Sequence, residues 1–540
     1  MSFLGDVKMY GRFALGLPRF LRNTITPEQA RERIQHHLAE RDQNFLRLVE
    51  RGIFSYLKSP YLPLFRLAHC ELGDVRNMVR DKGVEGTLLA LREAGVYINF
   101  EECKGRQPIV RDGHEFPVTE HDFDNPYLKA HYYSESGGST GVGTRVHHDL
   151  DYLAEQASHF VLLHMAHNVA EAPTAVWRGV LPDGSGINTM LRMAHYGRTP
   201  QRWFTPVAPP DPSASILRFR LATNLTVGMG RLLNVPIPWP ELVRIEQAGT
   251  IAHWAADTVK NHGECVINAT ASRGVRVCSA ALDGGLDLSG VTFVIAGEPV
   301  TPNKVRVIER SGAKHFTTYG FSEAGRIGMG CARPCSTNDL HLLTDMCAII
   351  QYPRQVPNAA EVTVPAFNVT CLLPSSPKIL LNAESDDYGV LETRSCGCLF
   401  EELGLTTHIR DIRSFCKLTG EGVTLVGSEM LHILEEVLPA RFGGGPLDYQ
   451  FLEEEEEDSG LTRLSLLISP RVSIPDEKTV IETVLQAIGR ESTGADAARD
   501  IWSQTGTLRI KQVEPIWTGR GKLMPLHVAK RHGDTSVTPI

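Results

Sequence analysis

Short apolar runs that alternate with helical segments place the strongest constraint on how this chain folds. Three of them are CVINAT (265–270), VTFVIAG (291–297) and HFTTYG (315–320). Runs of this length, separated by helical patterns, are typical of strands that a sheet buries on both faces. Because parallel strands need long crossover connections, the alternation predicts an α/β fold with a parallel sheet.

The segments before and after these runs have other patterns. From Thr26 to about Ala94 the apolar residues recur at helical spacing, and Pro27 follows Thr26 as in a first helical turn. Residues 195–215 are rich in proline and are predicted to form an irregular loop or an insertion on the substrate side. Near the C-terminus, EMLHILEEVLPARF and KTVIETVLQAIG have helical patterns on either side of a predicted hairpin, DYQFLEEEEEDSGLTRLSLLISP, whose tip is acidic. These elements predict a small α+β domain.

Length and composition restrict the classes of protein to which this chain can belong. A chain of 540 residues with 42% hydrophobic and 22% charged residues is large enough for more than one core. The net charge of -8 and the lack of a long basic run argue against nucleic acid as a main partner. Residues 1–23 contain no apolar stretch of signal or membrane-span length, and most of the cysteines are scattered, as suits a reducing compartment. We therefore expect a cytoplasmic protein without a membrane span.

A glycine- and serine-rich stretch, SESGGSTGVGTR (134–145), has the chemistry of a phosphate-binding loop. Its glycines let the backbone approach a ligand, and its hydroxyl groups add neutral donors for phosphate oxygens. Thr144 and Arg145 follow Gly143 where a Walker A loop needs lysine and then serine or threonine, so that loop type is excluded. A helical pattern over 149–170 follows, and a helix N-terminus favours anions. The alternative is a flexible connection between two elements.

Two of the predicted strands end in residues that suit a nucleotide. VTFVIAG ends at Gly297 and leads into a helix that we expect Thr301 to cap, and HFTTYG continues through FSE to Glu323. In an open α/β sheet, ligands bind at this rim. The backbone at Gly297 and the ring of Tyr319 would sandwich a planar base, and Glu323 would hold a Mg²⁺ ion that bridges phosphates. The alternative for Tyr319 is an ordinary core aromatic.

Four motifs stand in order along the chain: SGGSTGVGT (136–144), AGEP (296–299), YGFSE (319–323) and IKQVEPIWTGRGKL (510–523). In this order they resemble the motifs of the adenylate-forming (ANL) superfamily, which includes acyl-CoA synthetases, NRPS adenylation domains and luciferases. They are most similar to those of its phenylacetate-CoA ligase and coenzyme F390 synthetase branch. The resemblance covers most of the chain from about residue 130 onward.

The resemblance implies an α/β fold in which a large N-terminal domain of the ANL type is joined to a small α+β C-terminal lid domain. Residues 1–130 would form the helical N-terminal region of the large domain, residues 131–412 its adenylate-forming core, and residues 413–540 the mobile lid. The hinge is only partly matched. HIRDIRSFCKLTGEG (408–422) has the later glycine of the family's hinge motif at Gly420, whereas its other residues only approximate that motif.

The implied activity is the ATP-dependent activation of a carboxylic acid as an acyl-adenylate, with release of pyrophosphate. The acyl group would then pass to a thiol, that of CoA or of the phosphopantetheine on an acyl or peptidyl carrier protein. One alternative, favoured by the altered hinge, is transfer to a protein cysteine or to an amine or other nitrogen nucleophile. Another is a nucleotide-binding scaffold without catalysis. The sequence does not identify the acid, and a homodimer is an open possibility for the assembly.

The resemblance also assigns roles to individual residues. Glu323 would hold Mg²⁺, Lys522 would be the lysine needed for adenylation, and Asp387 would bind the ribose, with Asp386 as the alternative. The residues expected to bind the phosphates of ATP are Ser136, Gly137, Gly138, Ser139, Thr140 and Gly141. Those expected on the adenine and ribose side are Gly297, Glu298, Pro299, Tyr319, Gly320, Ser322 and Asp387.

Two clusters of cysteines suggest a second metal. Cys331 and Cys335 precede His341 in GCARPCSTNDLHL, and Cys396 and Cys398 follow in RSCGCL. Thiolate and imidazole ligands suit a closed, tetrahedral structural zinc site, and some members of the resembling branch have one. The predicted zinc ligands are Cys335, His341, Cys396 and Cys398, with Cys331 as a substitute. The alternative is a set of free buried thiols.

Overall fold

A computed structural model of the chain describes most of its residues. The described ranges are 3–135, 145–207, 214–298, 300–356, 359–414, 417–420, 423–426, 430, 432–456, 461–488, 502–516 and 525–528. The predicted phosphate loop (136–144), Pro299 and Lys522 lie outside these ranges.

The N-terminal region is helical, as predicted for residues 26–94. The helices are α1 (Phe3–Arg22), α2 (Pro27–Ala39), α3 (Arg41–Val49), a π-helical turn (Glu50–Phe54), α4 (Leu62–Leu67), α5 (Leu72–Glu93) and α6 (Phe100–Cys103). Thr26 caps α2: its hydroxyl accepts from the amide of Gln29 at 3.3 Å, and the Gln29 side chain accepts from the amide of Thr26 at 3.1 Å. Helix α1 agrees with the helical N-terminal region that the resemblance implies for residues 1–130.

Two small hairpins lie between these helices and the main sheet. The first pairs β1 (Ile109–Arg111) with β2 (His114–Phe116). The second pairs β3 (Tyr132–Glu135) with β4 (Arg145–His148), so that Glu135 lies opposite Arg145. The predicted phosphate loop joins β3 to β4.

One half of the main sheet is parallel and confirms the α/β prediction. Its strands are β5 (Thr174–Trp177), β6 (Arg202–Thr205), β7 (Pro240–Leu242), β8 (Cys265–Ala269), β9 (Val291–Ile295) and β10 (Lys314–Phe321), in the order β7-β6-β5-β8-β9-β10. The helices before and between them are α7 (Leu150–Ala166), α8 (Ser185–His195), α9 (Ala214–Leu232), α10 (Ala248–His262), α11 (Ala271–Asp283) and α12 (Pro302–Arg310). Thr301 caps α12, as expected.

Residues 195–215 are not simply the irregular loop that their prolines predicted. Strand β6 lies within this segment and extends the parallel sheet, pairing with β5 and β7. Trp203 and Phe204 are fully buried in it. The burial of these two rings outweighs the turn-forming tendency of the neighbouring prolines.

The other half of the described main sheet is antiparallel and was not predicted. It contains β11 (Gly325–Gly330), β12 (Leu340–Leu342), β13 (Cys347–Val356), β14 (Ala359–Cys371), β15 (Ala383–Thr393) and β16 (Thr407–Ser414), in the order β13-β14-β15-β16-β12-β11, with β11 beside β10. The short helix α13 (Leu399–Glu402) lies between β15 and β16.

Strands β15 and β16 contain a bulge. Tyr388 pairs with Arg413 and Val390 pairs with Arg410, so β16 has one more residue than β15 over this interval. Asp411 lies in the bulge with φ 54°, a left-handed conformation, and its amide donates to Asn338 Oδ1 at 2.8 Å. The domain boundary predicted at residue 412 therefore falls inside a strand.

The described C-terminal residues form a small α+β unit, as predicted. Its elements are β17 (Lys417–Gly420), β18 (Val423–Val426), a π-helical turn (Ile433–Val437), α14 (Leu438–Phe442), β19 (Tyr449–Glu455), β20 (Thr462–Ile468), α15 (Glu477–Ala487), β21 (Leu508–Lys511) and β22 (Leu526–Val528). Strands β19 and β20 form the predicted hairpin within a sheet ordered β21-β20-β19-β22.

This unit packs against the parallel half of the main sheet. Ile433, Leu466 and Trp502 share one buried apolar cluster with Phe293. At its edge, Lys304 Nζ donates to Thr462 Oγ1 at 3.4 Å. Among the described helices, none combines the length and the apolar character needed to cross a membrane.

Candidate active site

Two cavities meet where β9 and β10 end. One, of about 180 Å³, is lined by Tyr319 and Asp387, and we refer to it as the tyrosine cavity. The other, of about 250 Å³, is lined by four arginines, and we refer to it as the arginine cavity. Gly297, Gly320 and Phe321 line both. The carboxyl ends of parallel strands are the usual ligand-binding edge of such a sheet, so the shared rim is the natural place for chemistry.

The tyrosine cavity brings together several residues predicted on the adenine and ribose side. The hydroxyl of Tyr319 donates to Asp387 Oδ2 at 2.7 Å, and the hydroxyl of Ser414 donates to Asp387 Oδ1 at 2.5 Å. Burial and the neighbouring Asp387 charge raise the pKa of Tyr319 well above its ordinary value, so the phenol keeps its proton. Of the two candidate aspartates, Asp387 lines the cavity, whereas Asp386 is buried and is absent from the described lining.

Gly297 and Glu298 form the opposite side of the tyrosine cavity. Gly297 has φ 87°, a conformation that side-chain-bearing residues rarely adopt. The carboxylate of Glu298 accepts hydrogen bonds from the amide of Ser272 at 2.9 Å and from its hydroxyl at 2.5 Å, and it lies 3.9 Å from Lys304 Nζ. The Glu298 carboxylate therefore ties the turn after β9 to the first turn of α11. Ser322, also predicted on this side, lines the arginine cavity instead.

The arginine cavity contains cationic groups that the sequence motifs did not reveal. Arg178 donates to the backbone carbonyls of Ala296 and Ala269 at 3.2 and 2.6 Å and to Asn268 Oδ1 at 2.9 Å. Burial, together with the charge of the nearby Arg273, lowers the pKa of Arg178 to about 9, so its side chain stays protonated near neutral pH. The chain has 55 lysines and arginines, and nothing in the local sequence around Arg178 distinguishes it from the rest.

Glu323 lies in the turn between β10 and β11 and is paired with a lysine from the N-terminal region. Its carboxylate forms a buried ion pair with Lys104, which directly follows α6. Burial alone would raise the pKa of Glu323, but the charge and hydrogen bond of Lys104 outweigh it, so the net shift is downward. An ionised carboxylate fits the predicted role as a Mg²⁺ ligand, provided that Lys104 gives up part of this contact. Lys104 was not predicted, because no motif marks the sequence around it.

The strands on either side of the predicted phosphate loop border the arginine cavity. Ser134 and Glu135 at the end of β3 line it, and Ser134 Oγ lies 2.7 Å from His148 Nε2 on β4. Burial lowers the pKa of His148 to about 3, which keeps the imidazole neutral. The predicted loop residues Ser136, Gly137, Gly138, Ser139, Thr140 and Gly141 lie outside the described residues, as do Pro299 and Lys522.

Four side chains form a cysteine cluster: Cys331, His341, Cys396 and Cys398. Their ligand atoms all lie within 4.8 Å of one another. His341 Nε2 lies 3.0 Å from Cys398 Sγ and 3.6 Å from Cys396 Sγ, while Nδ1 donates to the carbonyl of Leu405 at 2.7 Å. This bond orients the ring and leaves Nε2 as the metal-facing atom. Tetrahedral Zn²⁺ with bonds of about 2.0–2.3 Å places its ligand atoms roughly 3.5–3.8 Å apart, so the cluster fits that ion.

Cys335, predicted as a zinc ligand, is not in this cluster, and Cys331 takes its place. Cys331 is buried and directly follows β11, which carries it toward His341 on the neighbouring β12. Cys335 is exposed, in a turn where its amide donates to Asp339 Oδ2 at 2.9 Å. Both cysteines are spaced acceptably from His341 in the sequence. Only the fold distinguishes them, because Cys331 is buried and Cys335 is exposed.

The comparisons with known proteins come from structure alone. The sequence matches no protein-family model and no curated protein. A solved structure of 2-hydroxyisobutyryl-CoA ligase, in complex with 2-HIB-AMP and CoA in the thioesterification state, superposes with a TM-score of 0.50 at 14% identity. The match covers 91% of this chain and 90% of that one.

Two further solved structures are similar at lower scores. The same ligase in the postadenylation state with R3-HIB-AMP gives a TM-score of 0.45 at 15% identity, covering 91% of this chain and 90% of that one. The amide bond synthetase McbA from Marinactinospora thermotolerans gives 0.39 at 13% identity, covering 77% and 71%. The main sheet, the small C-terminal unit and the near full-length match to the ligase agree with the predicted architecture. This chain has the fold of the adenylate-forming (ANL) superfamily.

Proposed function

We propose that this protein activates a carboxylic acid with ATP, forming an acyl-adenylate and pyrophosphate, and then transfers the acyl group to a thiol. The observation that carries this proposal is the pair of cavities that share the rim of Gly297, Gly320 and Phe321. A nucleoside fits the tyrosine cavity, an acid fits the arginine cavity, and the shared rim is where the carboxylate would meet the α-phosphate. The solved ligase of the same fold holds an acyl-adenylate and CoA, which supports this assignment.

In this proposal the reaction has two halves. The carboxylate oxygen attacks the α-phosphorus and pyrophosphate leaves; the acceptor then attacks the acyl carbon and AMP leaves. Asp387 would accept hydrogen bonds from the ribose, and Tyr319 and Gly297 would face the base. The loop at 136–141 and Lys522 would stabilise the charge that develops on the phosphates.

Two metal ions belong to the proposal. Glu323 would hold Mg²⁺, which neutralises phosphate charge when bound. The cysteine cluster would hold a structural Zn²⁺, because three thiolates and one oriented imidazole make a closed four-coordinate set. Metal analysis of protein purified without chelator should give one zinc per chain, and protein that lacks stoichiometric zinc would contradict this part.

A pyrophosphate-exchange assay with aryl, amino, hydroxy and fatty acids tests the first half-reaction. Lys522→Ala should abolish exchange and largely spare thiol transfer from preformed adenylate, because the lysine acts on the phosphates. Equal loss of both half-reactions would contradict the role of Lys522. Failure of exchange with every acid would favour a nucleotide-binding scaffold.

The proposal also identifies the acyl acceptor and gives the C-terminal residues a role as a lid. The acceptor is proposed to be CoA or a carrier-protein phosphopantetheine, with residues 413–540 acting as a lid that moves between the two half-reactions. Incubation of the enzyme with ATP, an accepted acid and CoA, a carrier protein or an amine, each in turn, identifies the acceptor. Product formation with the amine alone would replace the thiol ligase by an amide-forming ligase.

A further inference from the structure

The arginine cavity carries a surplus of positive charge. Its described charged residues are four arginines and two carboxylates: Arg178, Arg192, Arg273, Arg326, Glu135 and Asp183. His148 adds no charge, because burial lowers its pKa to about 3. The residues 136–144 that follow Glu135 include no acidic side chain in the sequence. An uncharged acyl chain is therefore a poor match to this lining.

One arginine lies at the rim. A Cβ atom placed on Gly297 would lie 3.7 Å from Arg178 Nη1, and Nη1 also donates to the carbonyl of Ala296. Since Gly297 and Ala296 belong to the edge where the two cavities meet, Arg178 is the arginine placed to face the reacting carboxylate.

Two other arginines of the cavity lie together against the ring of Phe160. The guanidinium carbons of Arg192 and Arg326 lie 4.8 and 5.7 Å from the centre of the Phe160 ring. Phe160 and Arg192 also line a small void of about 10 Å³, and Arg326 lies opposite Gly320 on the neighbouring strand. Helix α8 supplies Arg192 and strand β11 supplies Arg326.

Neither of these two arginines has a carboxylate partner within the described part of the chain. Arg192 donates to Gln156 Oε1 at 2.7 Å and to Thr189 Oγ1 at 3.3 Å, and its Nε is buried without a hydrogen-bond acceptor there. Arg326 donates to Thr318 Oγ1 at 3.1 Å. Burial lowers the pKa of Arg326 to about 9, and the charge of Arg192 acts in the same direction.

Arg192 is buried and Arg326 is half-buried, and two like charges held together in such a site are costly unless an anion neutralises them. Guanidinium groups also present planar donor sets that match carboxylate, sulfonate or phosphonate oxygens. We propose that the acid bound in the arginine cavity carries a second anionic group, which Arg192 and Arg326 bind while the reacting carboxylate lies near Arg178. This inference rests on the proposed function for the identity of the reacting end. The volume of about 250 Å³ restricts it to a small acid.

Matched pairs of acids test the proposal without changing the protein. Glutarate, adipate and isophthalate are each compared with their mono-amides in pyrophosphate exchange, and 3-sulfopropionate and 3-phosphonopropionate distinguish the kind of anion. Since a hydrogen bond to a charged group contributes about 1.5–3 kcal/mol, at least one dianion should exceed its mono-amide in kcat/KM by about 10- to 150-fold. Mono-amides that work as well as the dianions would overturn the proposal.

Variants at Arg326 distinguish recognition from a structural role. Arg326→Met should lower kcat/KM for the preferred dianion by about 10- to 150-fold and change that of its mono-amide by less than about 3-fold, with partial recovery in Arg326→Lys. Arg80→Met, on the exposed surface where Arg80 pairs with Asp81, is the matched control and should change neither. Equal losses for both substrates in Arg326→Met would show that the arginine only supports the fold.

Binding measurements separate this inference from the proposed function. Isothermal titration with the dianion and its mono-amide is carried out on wild-type protein and on Arg326→Met. If no acid supports exchange but the dianion binds and Arg326→Met weakens it, the adenylation proposal fails and the anion site stands. If mono-acids support exchange and the dianion shows no binding advantage, the anion site fails and adenylation stands.

Discussion

Two sites in this molecule gather donor atoms that suit a cation, and they differ in how their charge is balanced. At Glu323 the chain itself supplies a counter-charge through Lys104. At the cysteine cluster, three thiols and His341 face one another, and Arg394 Nη2 lies 3.6 Å from Cys331 Sγ but also pairs with Asp339. The charge of the first site is balanced before any ion arrives, so an ion bound there would be exchangeable. The second is balanced only by a bound metal or by protonated thiols, which suits an ion that is held permanently.

The largest effect is expected at the cysteine cluster, where a metal ion or protons must balance the charge of the thiolates. Cys331→Ser should remove the proposed zinc and lower the free energy of unfolding by more than about 5 kcal/mol, because a structural metal contributes directly to folding. Cys335→Ser is the matched control and should keep both the zinc and the stability. Metal content and urea unfolding followed by tryptophan fluorescence measure the two effects. Loss of zinc in Cys335→Ser but not in Cys331→Ser would reverse the assignment.

A smaller effect is expected at Glu323, where Lys104 balances the charge of the carboxylate. Lys104→Met leaves the buried carboxylate of Glu323 without its ion-pair partner, which should cost about 3–5 kcal/mol and raise the pKa of Glu323. Because Lys104 no longer competes for the carboxylate, the Mg²⁺ concentration needed for half-maximal pyrophosphate exchange should fall several-fold. An unchanged or higher Mg²⁺ requirement, with folding intact, would show that Glu323 is not the metal ligand.

Buried histidines are a third case, in which the side chain stays neutral in the folded protein and needs no counter-charge. Burial lowers the pKa of His148 to about 3 and that of His164 to about 4, against about 6.5 in an unfolded chain. Below pH 6.5 the unfolded chain takes up protons that the folded chain does not, so stability is full above pH 6.5 and falls toward pH 4. The loss should be about 3 kcal/mol per histidine at pH 4.

The pH dependence of urea unfolding between pH 7.5 and 4.5 checks this expectation. His164→Phe, which keeps a ring against Tyr196 and Phe316, should make the slope shallower. His253→Phe, at an exposed position, should leave the slope unchanged. Identical slopes in wild type and His164→Phe would mean that His164 is charged in the folded protein.

The smallest effect is expected at Asp387, which accepts hydrogen bonds from the neutral hydroxyl groups of Tyr319 and Ser414. Tyr319→Phe removes one of these and keeps Ser414 and the aromatic ring, so it should weaken ATP binding by about 5-fold, or about 1 kcal/mol. Tyr319→Ala also removes the ring that is proposed to face the base and should weaken ATP binding further. Equilibrium titration with ATP measures both, and equal effects of the two variants would argue against a stacked base.

Three of the parallel strands, β8, β9 and β10, could be predicted from the sequence, because each contains a short apolar run and helical patterns alternate with these runs. The antiparallel strands β11–β16 could not, since they lack the helical crossovers that mark a parallel sheet. Strand β6 was hidden by the prolines around it, although Trp203 and Phe204 carried the apolar signal.

The candidate site could be predicted where its residues cluster in sequence, as in AGEP and YGFSE. It could not be predicted where the partners come from distant elements. Lys104 reaches Glu323 from more than 200 residues away, with a separation of 219 positions. Arg178, Arg192 and Arg326 converge from the residue after β5, from α8 and from β11, and no local pattern marks an arginine that will line a cavity. The choice between Cys331 and Cys335 likewise depends on which side of a turn faces the core.

The bulge at Asp411 determines which side chains of β16 reach the tyrosine cavity. In a regular strand alternate residues face the same side, and one extra residue exchanges the two sides beyond that point. Ser414 therefore meets Asp387 only because Asp411 has been inserted into the ladder. A natural or engineered deletion of a single residue here would point a neighbouring side chain at Asp387 and redirect the chain as it leaves the sheet for the C-terminal unit. Related sequences that differ by one residue in this interval would then differ in how they hold a ribose, even with every motif residue in place.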